Sequence, residues 1–516
     1  MKILCYPTSL NHGYIVDAFS ILRKKNNNLK FGFIYDHETC LSSLQYKNIN
    51  YCEKNLSAII YNLKKNKSSG KIDKNHLESF EKISKKNIWK IISADRVLGR
   101  SYITDLDIGQ YKSDYIEKKK FLIVNQFIHI SKSIKKIFES FKPDVVYISN
   151  GLSNIQASII DVYAKFYETK VIVPFPTLFK NYFFFSDSIY PRNNKIKNLY
   201  YKTLKKNITC KKINLFFNEI LSKGIVPSYD RENTRSIIIN FKKKFFIRNN
   251  FFIIFFTISK HLILKTLFIL KIKIKHLKIM KNYKLIDNII HEISLRNKFI
   301  ETEKVDFPNL NCNYVYFPLF SIPETTSLLL GNDFMNAFFI IELMSKNIPS
   351  NYKLLVKEHP AMFSSHSRSS IFYKRVKQLP NVELVPISFD GVKLIKHSKL
   401  VVVIDGSSGF EAILSGKPML TLNRDYYTYS FFDQVFKCTN FDNLYNDVNR
   451  AINSATKTKK NIFKKKIKAL LYSIHKTSYI LTKPGIFFFG EKKFNETEQK
   501  ICGKDLANAL ISELKI

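Results

Sequence analysis

Between residues 314 and 422 the chain alternates short apolar runs with longer, more polar stretches. The apolar runs are NYVYFPLF, YKLLVKEHP, VELVP, LVVVID and PMLTL, and helices are expected between them. Strands that are apolar throughout, without alternation of polar residues, are buried on both faces, as in a parallel sheet covered by helices. The pattern therefore predicts an α/β domain with a parallel sheet, which we place at residues 309–516.

A second α/β domain is predicted at residues 1–190. The runs MKILCYP, KFGFIYD, KPDVVYISNG and KVIVPFP indicate strands, and a helix is expected from Tyr14 to Lys25. The length of 516 residues also requires more than one core, since single domains mostly stay below roughly 250 residues.

Residues 191–308 form a Lys-rich connecting region that we predict to be helical. Its most apolar part, residues 251–280, is interrupted by Lys260 and Lys265, so it lacks the ~20 uninterrupted apolar residues that span a bilayer. Two interpretations stay open for this part. It lies in the interface of an anionic membrane, or it is a buried helix whose lysines reach the surface.

The formal net charge of +41 favours an anionic partner, although a composition rich in Lys, Asn, Ile and Phe is also what A/T-rich codons produce. No pattern typical of base-reading proteins is found, so nucleic acid is not an expected partner. The seven cysteines contain no CxxC pair and predict reduced thiols. We expect a cytoplasmic protein, with peripheral contact at the inner face of the membrane.

Residues suited to binding anions follow two of the predicted strands. In open parallel sheets, ligands bind at the carboxyl ends of the strands. One strand leads into Lys357, His359 and Pro360, and another leads into a run of small residues that opens a helix: Gly406, Ser407, Ser408 and Gly409. Backbone amides at a helix N-terminus bind phosphate well. The competing interpretations are a structural histidine beside a turn and a tight corner between strand and helix.

Carboxylates near these strand ends have different predicted roles. Glu411 suits a ribose or sugar hydroxyl. Glu324, in the loop after the first strand of the second domain, would orient or deprotonate an acceptor hydroxyl, or else cap a helix. No cluster suited to a metal ion is expected, because no DxD-like pair stands at a strand end.

The segments YFPLF, PETTSLLLG, YKLLVKEHP, NVELVP and VIDGSSGFEAILSGKPML, in this order, resemble bacterial capsule polysaccharide biosynthesis proteins, a group that includes the Kdo transferases. The His-Pro and Ser-Ser motifs are also similar to those of bacterial sialyltransferases. The resemblance implies a GT-B-like fold of two Rossmann-like parallel-sheet domains facing across a cleft. It also implies that His359 contacts the donor phosphate, that Ser407 and Ser408 hold it, and that Glu411 lies near the nucleotide.

In such folds the N-terminal domain receives the acceptor and often supplies a catalytic carboxylate. Asp105 and Asp107 are candidates for that carboxylate, and His12 and Gly13 are candidates for the acceptor side; surface acids are the alternative for the two aspartates.

The predicted function is that of a metal-independent glycosyltransferase without a cofactor. It would move a sugar from a nucleotide donor, for example a CMP-activated acidic sugar such as Kdo, to a surface polysaccharide or glycolipid. The alternatives are a polyol-phosphate transferase of the teichoic-acid kind, a sugar-nucleotide epimerase and a non-catalytic glycan-assembly protein.

Overall fold

In this computed structural model the described residues are 1–7, 13–36, 43–63, 72–105, 120–149, 153–206, 210–223, 259, 297–298, 300–363, 368–422, 428–438, 440–454, 460–483 and 495–516. The candidate residues His12 and Asp107 lie outside them, and so does the apolar segment 251–280 apart from residue 259. Each cysteine that the structure describes is a free thiol.

The N-terminal domain is built around a seven-stranded sheet. Its elements are β1 (Lys2–Tyr6), α1 (Gly13–Lys25), β2 (Lys30–Asp36), α2 (Ser43–Leu56), β3 (Ile59–Leu63), α3 (Lys74–Ser84), α4 (Ile88–Ser93), α5 (Lys120–Phe141), β4 (Val145–Ile148), α6 (Ile155–Phe166), β5 (Lys170–Pro176) and β6 (Tyr182–Ser186). The strand order is β13-β6-β5-β4-β1-β2-β3, with β13 (Tyr479–Ile480) contributed from near the C-terminus.

The C-terminal domain has a six-stranded sheet in which every neighbouring pair is parallel. It comprises α7 (Asn194–Leu204), α8 (Lys211–Lys223), β7 (Tyr314–Pro318), α9 (Ala337–Asn347), β8 (Lys353–Lys357), α10 (Ser370–Lys377), β9 (Val382–Val385), α11 (Gly391–His397), β10 (Leu400–Val403), α12 (Ser407–Leu414), β11 (Met419–Thr421), β12 (Val435–Lys437), α13 (Leu444–Ser454) and α14 (Lys460–Thr477). The strand order is β12-β11-β10-β7-β8-β9.

Both sheets share one order of strands. Counted along the chain within each domain, the order is 3-2-1-4-5-6, which is the doubly wound Rossmann order. In the N-terminal sheet β6 runs antiparallel to β5, and β13 runs antiparallel to β6. The predicted fold class, two Rossmann-like α/β domains in a GT-B-like chain, is confirmed.

One predicted domain boundary is wrong. The chain leaves the C-terminal domain after α14, adds β13 to the edge of the N-terminal sheet, and ends in α15 (Glu496–Leu514). Helix α15 buries Cys502, Leu506 and Leu510 in the same core as Ile3 and Phe19 of the N-terminal domain. The assignment of residues 309–516 to one domain therefore fails at its end, because the apolar face of α15 is buried by α1.

The connecting region also belongs partly to the C-terminal domain. Helices α7 and α8 bury Ile196, Tyr200 and Ile213 against the face of the sheet that α14 covers. These two helices lie within the predicted connecting region 191–308, and they add a layer to the second domain.

Each domain inserts side chains into the core of the other. Ile103 of the N-terminal domain lies in the core beneath α9 and α10, and Leu329 and Leu330 lie in a core of the N-terminal domain. Between the domains, the Ser153 hydroxyl donates to Thr325 Oγ1 at 3.1 Å. The two domains thus pack against each other through segments that follow the carboxyl ends of their strands.

Candidate functional site

The strand order of the C-terminal sheet defines where a ligand is expected to lie. After β7 the chain proceeds to β8 and β9 on one side, and it returns to β10, β11 and β12 on the other. The crevice between the carboxyl ends of β7 and β10 is therefore the topological switch point, where open α/β sheets bind ligands. Two predicted elements flank it: the loop that carries Glu324 and the turn from β10 into α12.

The turn into α12 leaves the first amides of the helix uncovered. Gly406 occupies the N-cap position with φ 106° and ψ −179°, and the helix has no side-chain cap. This backbone conformation is essentially restricted to glycine. Ser407, Ser408 and Gly409 form the first helical turn. The serines therefore do not cap the helix, a role that the sequence alone had left possible. Their amide groups and the positive end of the helix dipole suit a phosphate.

Asp405 precedes this turn and is the negative group closest to it in the chain. Its Oδ1 accepts the N–H of Gly406 at 2.7 Å, and removal from water raises the pKa of the carboxyl group to about 7. Near neutral pH a large fraction of this carboxyl is therefore uncharged. Asp405 consequently opposes an anion at the helix N-terminus less than its residue type suggests.

The end of β8 supplies the predicted cationic and imidazole groups. Lys357 is 8% exposed, and burial lowers the pKa of its ammonium group to about 8. Burial lowers the pKa of His359 to about 4, with the charges of Lys357 and Arg368 acting in the same direction. At neutral pH His359 is therefore a neutral imidazole, which donates one hydrogen bond and accepts another. Pro360 is buried and opens a short 3-10 helix, Pro360–Phe363.

Glu358, between these two residues, is part of a buried ionic network that sequence reasoning missed. Its Oε1 lies 2.7 Å from Nη1 of Arg368, and the two side chains are 1% and 0% exposed. The Tyr373 hydroxyl donates to Oε2 at 2.6 Å, and the backbone N–H of His359 donates to Oε1 at 2.6 Å. Arg368 also donates to the carbonyl of Phe320 at 2.8 Å. This network holds the backbone of His359 to β8 and to the loop after β7.

Strand geometry explains why Lys357 and Glu358, which are adjacent in the chain, have different surroundings. Successive side chains of a strand point to opposite faces of the sheet. Lys357 follows Leu355 and Val356, which lie in the two different cores of this sheet, and Glu358 contacts Tyr373 on the face covered by α10. The single arginine in the stretch AMFSSHSRSS after His359 is the sequence signal that would have indicated the partner of Glu358.

Asp105 has a structural contact instead of the predicted catalytic one. Its carboxylate accepts the N–H of Ala337, the first residue of α9, and its backbone carbonyl accepts the N–H of Ser369 at 3.0 Å. Asn336, the N-cap residue of α9, makes no side-chain cap and instead accepts the N–H of Thr104 at 3.0 Å. Asp105 thus caps a helix of the facing domain, and its buried carboxylate favours an interdomain anchor over a proton-transfer group.

The remaining predicted residues are separated from one another. Glu324 is exposed, its backbone N–H donates to Ser327 Oγ at 3.0 Å, and it flanks the switch point from the β7 side. Glu411 lies one helical turn into α12 and, by its charge, helps to raise the pKa of buried Tyr316 on β7. Gly13 is the first residue of α1 in the N-terminal domain. The structure therefore brings Glu324, Glu411 and the Gly406 turn to one edge of one sheet, with His359 one strand further along.

Neither a metal centre nor a membrane span is found among the described residues. No group of three or more His, Cys, Asp or Glu side chains there has a geometry suited to a metal ion. None of the helices in the same part of the chain combines the length and the hydropathy that crossing a membrane requires.

A family model matches the part of the chain that contains this site. Residues 285–475 match the family described as "Capsule polysaccharide biosynthesis protein". This range contains Glu324, Lys357, His359 and the Gly406–Gly409 turn, and it confirms the resemblance predicted from the same motifs. No curated protein matches the chain in sequence.

Solved structures similar to this chain include an epimerase, a glycosyltransferase and a protein in complex with UDP-glucose. The UDP-GlcNAc 2-epimerase from Methanocaldococcus jannaschii is 12% identical, with 92% of this chain and 100% of that chain covered and a TM-score of 0.24. HepE from Anabaena in complex with UDP-glucose is 12% identical, with 92% and 95% covered and a TM-score of 0.28. The calicheamicin glycosyltransferase CalG4 is 9% identical, with 99% and 98% covered and a TM-score of 0.23. These TM-scores are too low to establish a relationship by themselves.

Proposed function

We propose, from the premise that residues 285–475 match the capsule polysaccharide biosynthesis family, that this chain is a glycosyltransferase that moves a sugar from a nucleotide donor to a surface-polysaccharide or glycolipid acceptor. The observation that carries the proposal is the uncapped N-terminus of α12 at the topological switch point, within the matched range. The nucleotide phosphates would lie there.

The proposed chemistry is stabilisation of the leaving nucleotide. As the bond between sugar and phosphate breaks, negative charge grows on the phosphate oxygens. The amides of Ser407, Ser408 and Gly409 already point along the helix axis, so they stabilise this charge without reorganising. Lys357 adds positive charge at the end of β8, which is separated from β10 by β7, and the neutral imidazole of His359 donates a hydrogen bond to a phosphate oxygen.

We also assign roles to the two carboxylates near the switch point, Glu324 and Glu411. Glu324 is exposed at the crevice, so an acceptor hydroxyl can reach it, and we assign it the orientation or deprotonation of that hydroxyl. We assign Glu411 a hydrogen bond to a hydroxyl of the donor ribose or sugar. The proposed donor is a CMP-activated acidic sugar, the reaction requires no metal ion, and the enzyme acts in the cytoplasm at the inner face of the membrane.

The first test is nucleotide binding followed by donor turnover. Purified protein is heated with CMP, CDP, UDP, GDP or ADP, with and without Mg²⁺, and the unfolding temperature is recorded. A nucleotide present at ~100 times its dissociation constant adds about 2.7 kcal/mol of stability. We expect CMP to stabilise the protein and Gly406→Ala to lose the effect, because the alanine disturbs the amides that hold the phosphate.

Turnover separates a transferase from a protein that only binds. Release of CMP from a CMP-sugar is measured with the wild type, His359→Ala and Glu324→Gln. Loss of turnover in His359→Ala, with CMP binding weakened and the fold intact, supports the proposal. Stabilisation by none of the nucleotides, or turnover unchanged in every variant, would refute it.

A further inference from the structure

A cavity of about 700 Å³ lies between the two domains, and the proposed phosphate-binding residues do not line it. Helix α4 and the residues before it form one wall, and the segment Leu329–Phe334 forms the other. None of Lys357, His359 or Gly406–Gly409 lines it. The volume is typical of a pocket for a small ligand.

The cavity adjoins the strand ends of the C-terminal sheet. Gly331, in its wall, lies so close to Ile404 that a Cβ atom there would stand 3.1 Å from the isoleucine side chain. Leu422, also in the wall, donates its N–H to the carbonyl of Val403 at 3.1 Å. Since Ile404 is two residues before Gly406, a ligand in this cavity would lie close to the proposed donor site.

The polar part of the wall is cationic. The wall contains three lysines, Lys85, Lys86 and Lys90, and two carboxylates. Each carboxylate forms an ion pair with a lysine. Asp161 is paired with Lys165, and Asp333 is paired with Lys90 at 2.8 Å across the domain boundary.

Lys86 has a different environment from an ordinary surface lysine. Its ammonium donates to the Tyr190 hydroxyl at 2.6 Å and stands 4.6 Å from the centroid of that ring. Burial raises the pKa of Tyr190 to about 12, so the phenol is neutral near neutral pH and adds no negative charge. The phenol therefore contributes to holding the ammonium at the wall.

The rest of the wall is apolar and partly aromatic. Ile91, Val162, Ile189, Leu330 and Phe334 line the cavity between the lysines and the sheet. Such a surface packs well against the C–H faces of a sugar ring, whereas the lysines require an anionic group at one end of the ligand.

We propose that this cavity binds a sugar that carries an anionic oxyacid group, either a carboxylate or a phosphate ester, through Lys85 and Lys86. The inference rests on the proposed function, in which the sugar is the acceptor end of the glycan. The lysines select acidic acceptors over neutral ones, and the aromatic and aliphatic wall holds the ring.

Trp89, the only tryptophan of the chain, provides a local probe. It is 47% exposed on α4, adjacent to Lys90 in the chain. The full-length protein is titrated with glucose 6-phosphate, glucuronate and glucose, and both Trp89 fluorescence and calorimetric heat are recorded. We expect saturable binding of at least one of the two anionic sugars and at least about tenfold weaker binding of glucose, since a charged hydrogen bond contributes about a factor of ten.

Lysine variants locate the binding. The double variant Lys85→Ala/Lys86→Ala should weaken the anionic sugar about tenfold or more. Lys82→Ala, on the last turn of α3 and outside the cavity wall, should stay within about twofold of the wild type. Thermal unfolding checks the fold of each variant, and Lys85→Ala alone replaces the double variant if the latter unfolds.

The outcomes separate this inference from the proposed function. Tighter binding of glucose 6-phosphate indicates a phosphorylated acceptor, and tighter binding of glucuronate indicates an acidic sugar; either supports the proposal. Equal binding of glucose, no binding of either anion, or equal losses in Lys82→Ala would overturn it. CMP-sugar turnover without anion binding refutes only this inference. Anion binding at the lysines without turnover refutes only the transferase.

Discussion

Replacing Glu358 by glutamine should destabilise the C-terminal domain severely, because it leaves the charge of Arg368 buried without its closest partner. Both side chains are almost completely buried and lie 2.7 Å apart. Removing one partner of such a pair typically costs 3–5 kcal/mol. Asp105 also lies close enough to Arg368 to raise the pKa of its guanidinium, so part of the compensation survives. We therefore expect a loss of about 3 kcal/mol.

The glutamine is chosen to keep shape and hydrogen bonding. Its carbonyl oxygen still accepts from the Tyr373 hydroxyl or from the His359 N–H, so the change tests the charge and not the volume of the side chain. For a domain of about 200 residues, 3 kcal/mol corresponds to a fall in Tm of roughly 6–12 °C. Urea unfolding followed by tyrosine fluorescence or circular dichroism measures the free energy.

The control is the same substitution at an exposed ion pair of the same domain. Glu342 pairs with Lys346 at 2.6 Å on α9, where the side chains are 40% and 67% exposed. Exposed pairs of this spacing contribute about 0.3–0.5 kcal/mol, so Glu342→Gln should change little. A loss below about 1 kcal/mol in Glu358→Gln, or equal losses in both variants, would refute the assignment of Glu358 and Arg368 as a buried pair that supports the fold.

Three further predictions concern the strand ends. Gly406→Ala should lower the free energy of unfolding in urea by about 1–3 kcal/mol, because φ 106° is strained for alanine even though its Cβ would meet no atom within 4 Å. The control Gly391→Ala, at the start of α11, should be neutral or stabilising. Equal losses in the two variants would contradict this reasoning. The lowered pKa of His359 means that the unfolded chain binds a proton more readily than the folded chain, so the free energy of unfolding falls as the pH drops from about 6.5 to 4. His359→Gln should remove about 2–3 kcal/mol of that fall at pH 4.5. An unchanged pH profile in this variant would show that the imidazole is not buried. The raised pKa of Asp405 has the opposite consequence, since its contribution to the free energy of unfolding is fully present below about pH 4 and is lost as the pH rises through 7. Asp405→Asn should therefore stabilise the protein at pH 8 and barely affect it at pH 4. Stabilisation of equal size at both pH values would exclude the carboxyl group as the cause.

Much of the candidate site could be predicted because it depends on local chemistry. Apolar runs without alternation specify buried parallel strands, and the carboxyl ends of such strands share one edge, so the sequence alone assigns Lys357, His359 and the Gly406 turn to the same edge of the sheet. The run of small residues after β10 also indicated an open helix N-terminus. The location of the cap was the part that sequence left undecided, because serine and glycine both occupy N-cap positions.

Residues whose partners are distant in the chain could not be assigned in this way. Asp105 resembled a catalytic acid in the sequence, but its partner is the N-terminus of a helix that begins 232 residues later. Glu358 similarly gained its role from Arg368, and the lysines before α4 line a cavity whose other wall belongs to the opposite domain. A carboxylate or an ammonium group carries no local signal of whether it will meet an opposite charge, a helix end or a ligand.

The sequence by itself determined the two α/β domains, the edge of the sheet where the anion-suited residues collect, and the run of small residues that opens a helix there. These features depend on hydrophobic periodicity and on backbone sterics, which act over a few residues. Only the tertiary structure decided that β13 and α15 complete the N-terminal domain, that Asp105 anchors one domain to the other, and that three lysines face a cavity between them. These features depend on which buried surfaces and charges meet after the chain has folded, and nearest neighbours in the chain do not encode that pairing.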